Sequence, residues 1–124
     1  MVQSRFNVPD EDPEGMDLPC LDEGAKFDQE KSRYDLIDPY ALDVLAQIYT
    51  YGANKYTDNN WRKGMRYGRI FAAMMRHAWA FWRGEDNDPE SGLPHLGHAM
   101  WQCLTLLHYH RFKIGEDDRI KLIL

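Results

Sequence analysis

The chain has few cysteines. Cys20 and Cys103 lie far apart and follow no C-x-x-C spacing, which argues against a disulfide framework or a zinc ribbon and fits a reducing cytoplasm. It also lacks any apolar run near the ~18 residues that span a bilayer, and any apolar segment leading to a small-residue cleavage site. Neither membrane insertion nor export is expected. Glycine-rich phosphate loops of the G-x-x-x-x-G-K-[ST] and G-x-G-x-x-G types are missing, which excludes P-loop chemistry and a dinucleotide fingerprint. No Ser-His-Asp order can be argued, and neither cysteine has a base to activate it, so covalent catalysis is not expected. No internal repeat is visible.

The 124 residues suffice for one domain with a core of its own. Their charge is uneven: residues 1–24 carry net -6, residues 25–83 net +4 and residues 84–124 net -3. A basic middle beside an acidic, histidine-bearing segment suits a small phosphorylated ligand better than a long nucleic-acid track. Residues 1–24, with three prolines, many acids and few large apolar side chains, read as an extended or mobile arm, because too little can be buried to offset ordering. Residues 25–124 read as a single helical domain.

Asp38 followed by Pro39 is a helix start, with Asp as the cap and Pro where its missing N–H costs nothing. Leu42, Leu45, Ala46, Tyr49 and Ala53 then recur at three and four, predicting a helix to about Asn54. A second helix is predicted from Tyr67 to Arg83, apolar nearly all round and so expected to be buried on several sides, by packing neighbours or by a second subunit. The loop from Gly84 to Leu93 contains Pro89 and Gly92. Pro94 opens a third helix ending near Lys113 to Gly115, with Leu96, Met100, Cys103 and Leu107 as its expected core stripe. The tail RIKLIL reads as a short strand or an arm. The expected fold is all-α, a small bundle of three to four helices.

The stretch RGEDNDPESGLPHLGHA, residues 83–99, concentrates the chemistry. His95 and His98, three apart at a helix start, project from one face. His77 lies on the preceding helix, and antiparallel pairing across a short connection would bring it to Glu85, Asp86, Asp88, His95 and His98. Any one of these residues alone is more often a solvated or satisfied polar group; their co-occurrence points to a divalent metal. His108 and His110 near the third helix's end are accounted for by the helix dipole. A second cluster, Tyr51 to Arg69, interleaves Tyr51, Tyr56, Trp61 and Tyr67 with Lys55, Arg62, Lys63, Arg66 and Arg69. It could stack a base and hold phosphates, or serve only as a linker whose aromatics fill core gaps; the stretch alone favours the linker.

The strings KFDQEKSRYDLIDPYAL, YTYGANKYTDNNWRKG and RHAWAFWRGEDNDPESGLPHLGHA resemble the phage-associated dATP/dGTP diphosphohydrolase N-terminal domain family over about residues 24–112. Its members are linked to the all-α MazG-like nucleotide pyrophosphatases. The resemblance implies a divalent metal and cleavage of nucleoside triphosphates to monophosphate and pyrophosphate. MazG-like enzymes carry E-x-x-E and E-x-x-D pairs; here His95-Leu96-Gly97-His98 stands where E-L-G-D is expected, and no E-x-x-E precedes it. The metal set is therefore rebuilt from His77, Glu85, Asp86, Asp88, His95 and His98, with Glu85 and Asp86 as catalytic carboxylates. Imidazole ligands favour Mn, Co, Ni or Zn over Mg.

The function expected on this basis is metal-dependent hydrolysis of dATP or dGTP by a cytoplasmic homo-oligomer. Lys26, Lys31, Arg33 and Lys55 would neutralise the leaving pyrophosphate, and Tyr51 or Trp61 would stack the base. The alternatives are a phage protein that sequesters a nucleotide without turnover, a helical phosphohydrolase of HD type, which normally shows the adjacent His-Asp pair missing here, and an interaction domain.

Overall fold

The computed structural model describes residues 24–122. The expected acidic arm lies outside them except for Gly24. The chain divides at Tyr34 into an N-terminal unit and a helical unit that begins at Asp35. Of the first, residues 24–34 are exposed and without long secondary structure, and Lys26, Lys31 and Arg33 lie there.

The helical unit is all-α. Helix α1 spans Pro39–Lys55, α2 Tyr67–Trp82 and α3 His95–Phe112. Asp38 caps α1 as its sequence requires, its carboxylate accepting from the Ala41 N–H at 3.0 Å, with Pro39 in the first turn. Between α1 and α2, Asn59 takes a left-handed conformation and starts a 3-10 turn over Asn60–Lys63. Asparagine is among the few non-glycine residues that adopt it readily.

Helices α2 and α3 run antiparallel, Tyr67 meeting Tyr109 at one end and His77 meeting His95 at the other. Tyr67, Ile70 and Tyr109 form the core, closed by Trp61, Met65, Leu106 and Ile114. Tyr109 is wholly buried, and its hydroxyl donates to the Trp61 carbonyl. Helix α1 crosses α3 at Gly97, where an added Cβ would lie 2.7 Å from Val44 Cγ1 and 3.2 Å from Ile48 Cγ1. Only glycine lets the two helices approach so closely.

One expectation changes and two pairs of alternatives narrow. The inward face of α3 is polar: His95, Gly97, His98, Gln102, Thr105 and Tyr109 are buried, while Leu96, Cys103 and Leu107 are exposed. Both sets recur at three and four, so periodicity could not choose between them. Helix α2, expected to be covered by packing neighbours or by a second subunit, leaves Phe71, Met75, Trp79 and Trp82 exposed in the helical unit, so neighbours within that unit do not cover them. The C-terminal segment forms no strand among the described residues. Instead, Glu116 makes a single bridge to Arg66, and Asp118 accepts from the Gly68 N–H at 2.8 Å, capping α2 from a distance. Ile120 and Leu122 are exposed.

Candidate active site

The loop between α2 and α3 is a tight hairpin that carries acids to the histidines. Asn87 pairs with Pro94, the Asp88 N–H donates to the Leu93 carbonyl at 2.8 Å, and the Gly92 N–H donates to the Asp88 carbonyl at 2.7 Å. Gly92 closes the turn at φ +74°, where a side chain is strained. Within it the Asp88 carboxylate accepts from the Ser91 N–H at 3.0 Å, an Asp-based turn. Glu90 is tied to α1, accepting from the Tyr51 hydroxyl at 2.7 Å and from Lys55 Nζ at 2.5 Å. These bonds hold the Lys55 ammonium well above its usual range and Glu90 below its own.

Three rings meet under this loop. His77 Nδ1 lies 2.8 Å from His95 Nδ1, and His95 Nε2 lies 2.7 Å from Glu85 Oε1. His98 stacks on His77 with centroids 4.5 Å apart and planes inclined by 11°. Its Nε2 sits 2.7 Å from Ser91 Oγ and 3.6 Å from Asp88 Oδ2. Burial pushes the His77 and His98 imidazoles below their ordinary pKa, and the neighbouring rings add to it. The shift favours the neutral imidazole in each, with Asp88 opposing it. Burial pushes Asp88 up, but hydrogen bonds from Ser91 outweigh it, and with His98 and His77 they leave the carboxyl below its usual value.

His77, Asp88 and His95 each offer a ligand atom, all within 4.8 Å of one another. Two imidazoles and an ionised carboxylate fit a transition metal. The His95–Glu85 pair adds the carboxylate behind a ligating imidazole that fixes its tautomer and orientation.

Of the residues expected from sequence, His77, Asp88, His95 and His98 come together, and Glu85 joins through His95. The exposed Asp86 enters through its carbonyl, which accepts from the His95 N–H at 2.9 Å. Tyr51, Lys55 and Trp61 line a cleft of about 1240 Å³ that runs along the three helices and reaches His77, Asp88 and His98. Such a cleft is roomy for a small ligand.

The structure brings further residues to the site and its cleft that the sequence does not mark as site residues. Arg69, from the Tyr51–Arg69 cluster, and Arg76, directly before His77, line the cleft and make no ion pair among the described residues. Tyr49 meets Trp61 and Trp101 edge to face at 6.1 and 6.3 Å. Ser91 and Gln102 carry no local sequence signal. Gln102 Oε1 and Thr105 Oγ are buried and have no hydrogen-bond partner among the described residues.

Comparison with known proteins agrees with the resemblance. The chain is 38% identical over 96 residues to a dATP/dGTP diphosphohydrolase of Salmonella phage PMBT28, an alignment covering 77% of this chain and 33% of that protein. It thus spans about a third of the relative's length. No solved structure gives a significant match. The family model described as dATP/dGTP diphosphohydrolase, N-terminal, matches residues 22–119, the whole of the three-helix unit's site included, and the chain belongs to that family.

Proposed function

We propose that the chain binds purine deoxynucleoside triphosphates in the cleft and hydrolyses them to the monophosphate and pyrophosphate, with a divalent metal held by His77, Asp88 and His95. The observation that carries this reading is the convergence of two imidazoles and a carboxylate beside a cleft bearing arginines and aromatic rings. The phage relative's name supports the substrate class. Held by His77, Asp88 and His95, a divalent metal would supply Lewis-acid chemistry at the phosphate oxygens and activation of water; the imidazoles favour Mn, Co, Ni or Zn over Mg.

The chain's own residues supply the rest. Asp88, kept ionised by Ser91, provides fixed negative charge. Glu85 positions His95, Asp86 holds the backbone of His95 through its carbonyl, and His98 braces the His77 ring. Arg69 and Arg76 neutralise phosphate charge. Lys55 and Tyr51 hold Glu90 and with it the loop. Tyr49, Trp61 and Trp101 offer π faces to the base.

Self-association belongs to this reading. Phe71, Met75, Trp79 and Trp82 follow one another along the exposed side of α2, and α3 turns Leu96 and Leu107 outward. An exposed apolar row such as that along α2 is the kind of surface that marks an interface.

Incubating the purified chain with dATP or dGTP and Mn, and resolving products by anion exchange, tests the reaction. Monophosphate and pyrophosphate are expected in equal amounts. Diphosphate, or no turnover with any of the four metals, contradicts it.

A further inference from the structure

We infer that Gln102 reads the base, and that its side-chain amide serves 6-amino and 6-oxo purines alike by reversing its orientation. This deepens the nucleotide reading above and rests on it.

Gln102 is 7% exposed and lines the cleft, yet its Oε1 is buried with no partner among the described residues. A buried acceptor left unsatisfied is unfavourable unless a ligand completes it. Gln102 follows His98 by four residues on the same face of α3, about 6 Å along the axis. The separation leaves room for a sugar between a phosphate at the histidines and a base at Gln102. The rings of Tyr49, Trp61 and Trp101 line the same cleft and give the base a surface to lie against.

A carboxamide presents one acceptor and one donor side by side. The adenine edge offers the 6-amino N–H beside the N1 acceptor, so Oε1 accepts from the first and Nε2 donates to the second. The guanine edge carries the reverse order, the O6 acceptor beside N1–H. A half-turn about the last side-chain bond exchanges Oε1 and Nε2 and matches it. Internal hydrogen bonds normally lock such an amide one way round. Nothing in the described structure holds Oε1, so both orientations remain open to a ligand.

The test measures binding of non-hydrolysable α,β-methylene dATP and dGTP to the full chain by calorimetry, in wild type, Gln102→Leu and Gln102→Glu. Losing a bidentate contact should weaken both nucleotides by about tenfold or more in Gln102→Leu. A carboxylate accepts but cannot donate, so Gln102→Glu should keep the guanine contact, through N1–H and the 2-amino group, and lose the adenine N1 contact. The dGTP:dATP affinity ratio should rise about tenfold. Wild type should also bind the analogue whose purine has no 6-substituent several-fold more weakly than the dATP analogue, a comparison independent of how the variants fold. An unchanged ratio in a folded Gln102→Glu, or equal wild-type affinity for the unsubstituted purine, overturns the role of Gln102 and leaves the nucleotide site standing. Wild type that binds neither analogue overturns both.

Discussion

His77 and His95 meet Nδ1 to Nδ1 at 2.8 Å, and the far nitrogen of His95 is held by Glu85 at 2.7 Å. With the His95 Nε2–H donating to Glu85, its Nδ1 keeps a lone pair turned toward His77 and Asp88. This makes Glu85 a positioning residue, and its removal is predicted to lower metal affinity about 10–100-fold. Isothermal titration of metal-free Glu85→Gln with Mn checks it. Asp86→Asn keeps the backbone carbonyl that holds His95 and should bind Mn like wild type, so equal losses in both variants would refute the distinction.

Acid is predicted to destabilise the metal-free chain. His77 and His98 have folded pKa values depressed below 6.5 by burial. As pH falls through 6.5 the unfolded chain takes up protons first, so stability present above 6.5 is lost on descent toward the folded values. Thermal melts from pH 7.5 to 5.5 in chelator should show Tm falling, whereas a flat or rising Tm contradicts neutral, buried imidazoles.

The packing of α1 on α3 gives a prediction independent of chemistry. A side chain at Gly97 would enter the space of Val44 and Ile48. Gly97→Val is predicted to cost about 1–3 kcal/mol by overpacking, read as a lowered midpoint in urea. An unchanged midpoint would mean that the two helices can separate freely.

Much of the fold could be read from residues with a local mechanism. Asp38 and Pro39 mark the start of α1, Asn59 marks a turn, and Pro94 precedes α3. What could not be read was the rotation of α3. Leu96, Met100, Cys103 and Leu107 are spaced as well for burial as His95, His98, Gln102, Thr105 and Tyr109, and hydrophobicity favoured the first set. The polar set is inward because His95 and His98 find partners in His77, Glu85 and Ser91, residues of α2 and of the preceding loop that only the folded hairpin brings against α3. The clustering of histidines with Asp88 was legible, since a short loop pairs the two helices antiparallel. The empty acceptor of Gln102 was not, because only the folded cleft reveals it.

The outward apolar residues carry their own consequence. If Phe71, Met75, Trp79 and Trp82 meet a second copy, Trp79→Lys should shift the chain toward monomer in sedimentation equilibrium while leaving its circular dichroism unchanged. Wild type that is already monomeric at high concentration contradicts this interface.

The central claim is that His77, Asp88 and His95 form the metal centre of nucleotide hydrolysis. Its most direct test titrates Mn into chelator-stripped protein while metal bound per chain and dGTP turnover are measured in the same samples. The two should rise and saturate together in wild type and both stay flat in His95→Ala. Turnover in the stripped protein, or wild-type turnover by His95→Ala, would contradict it.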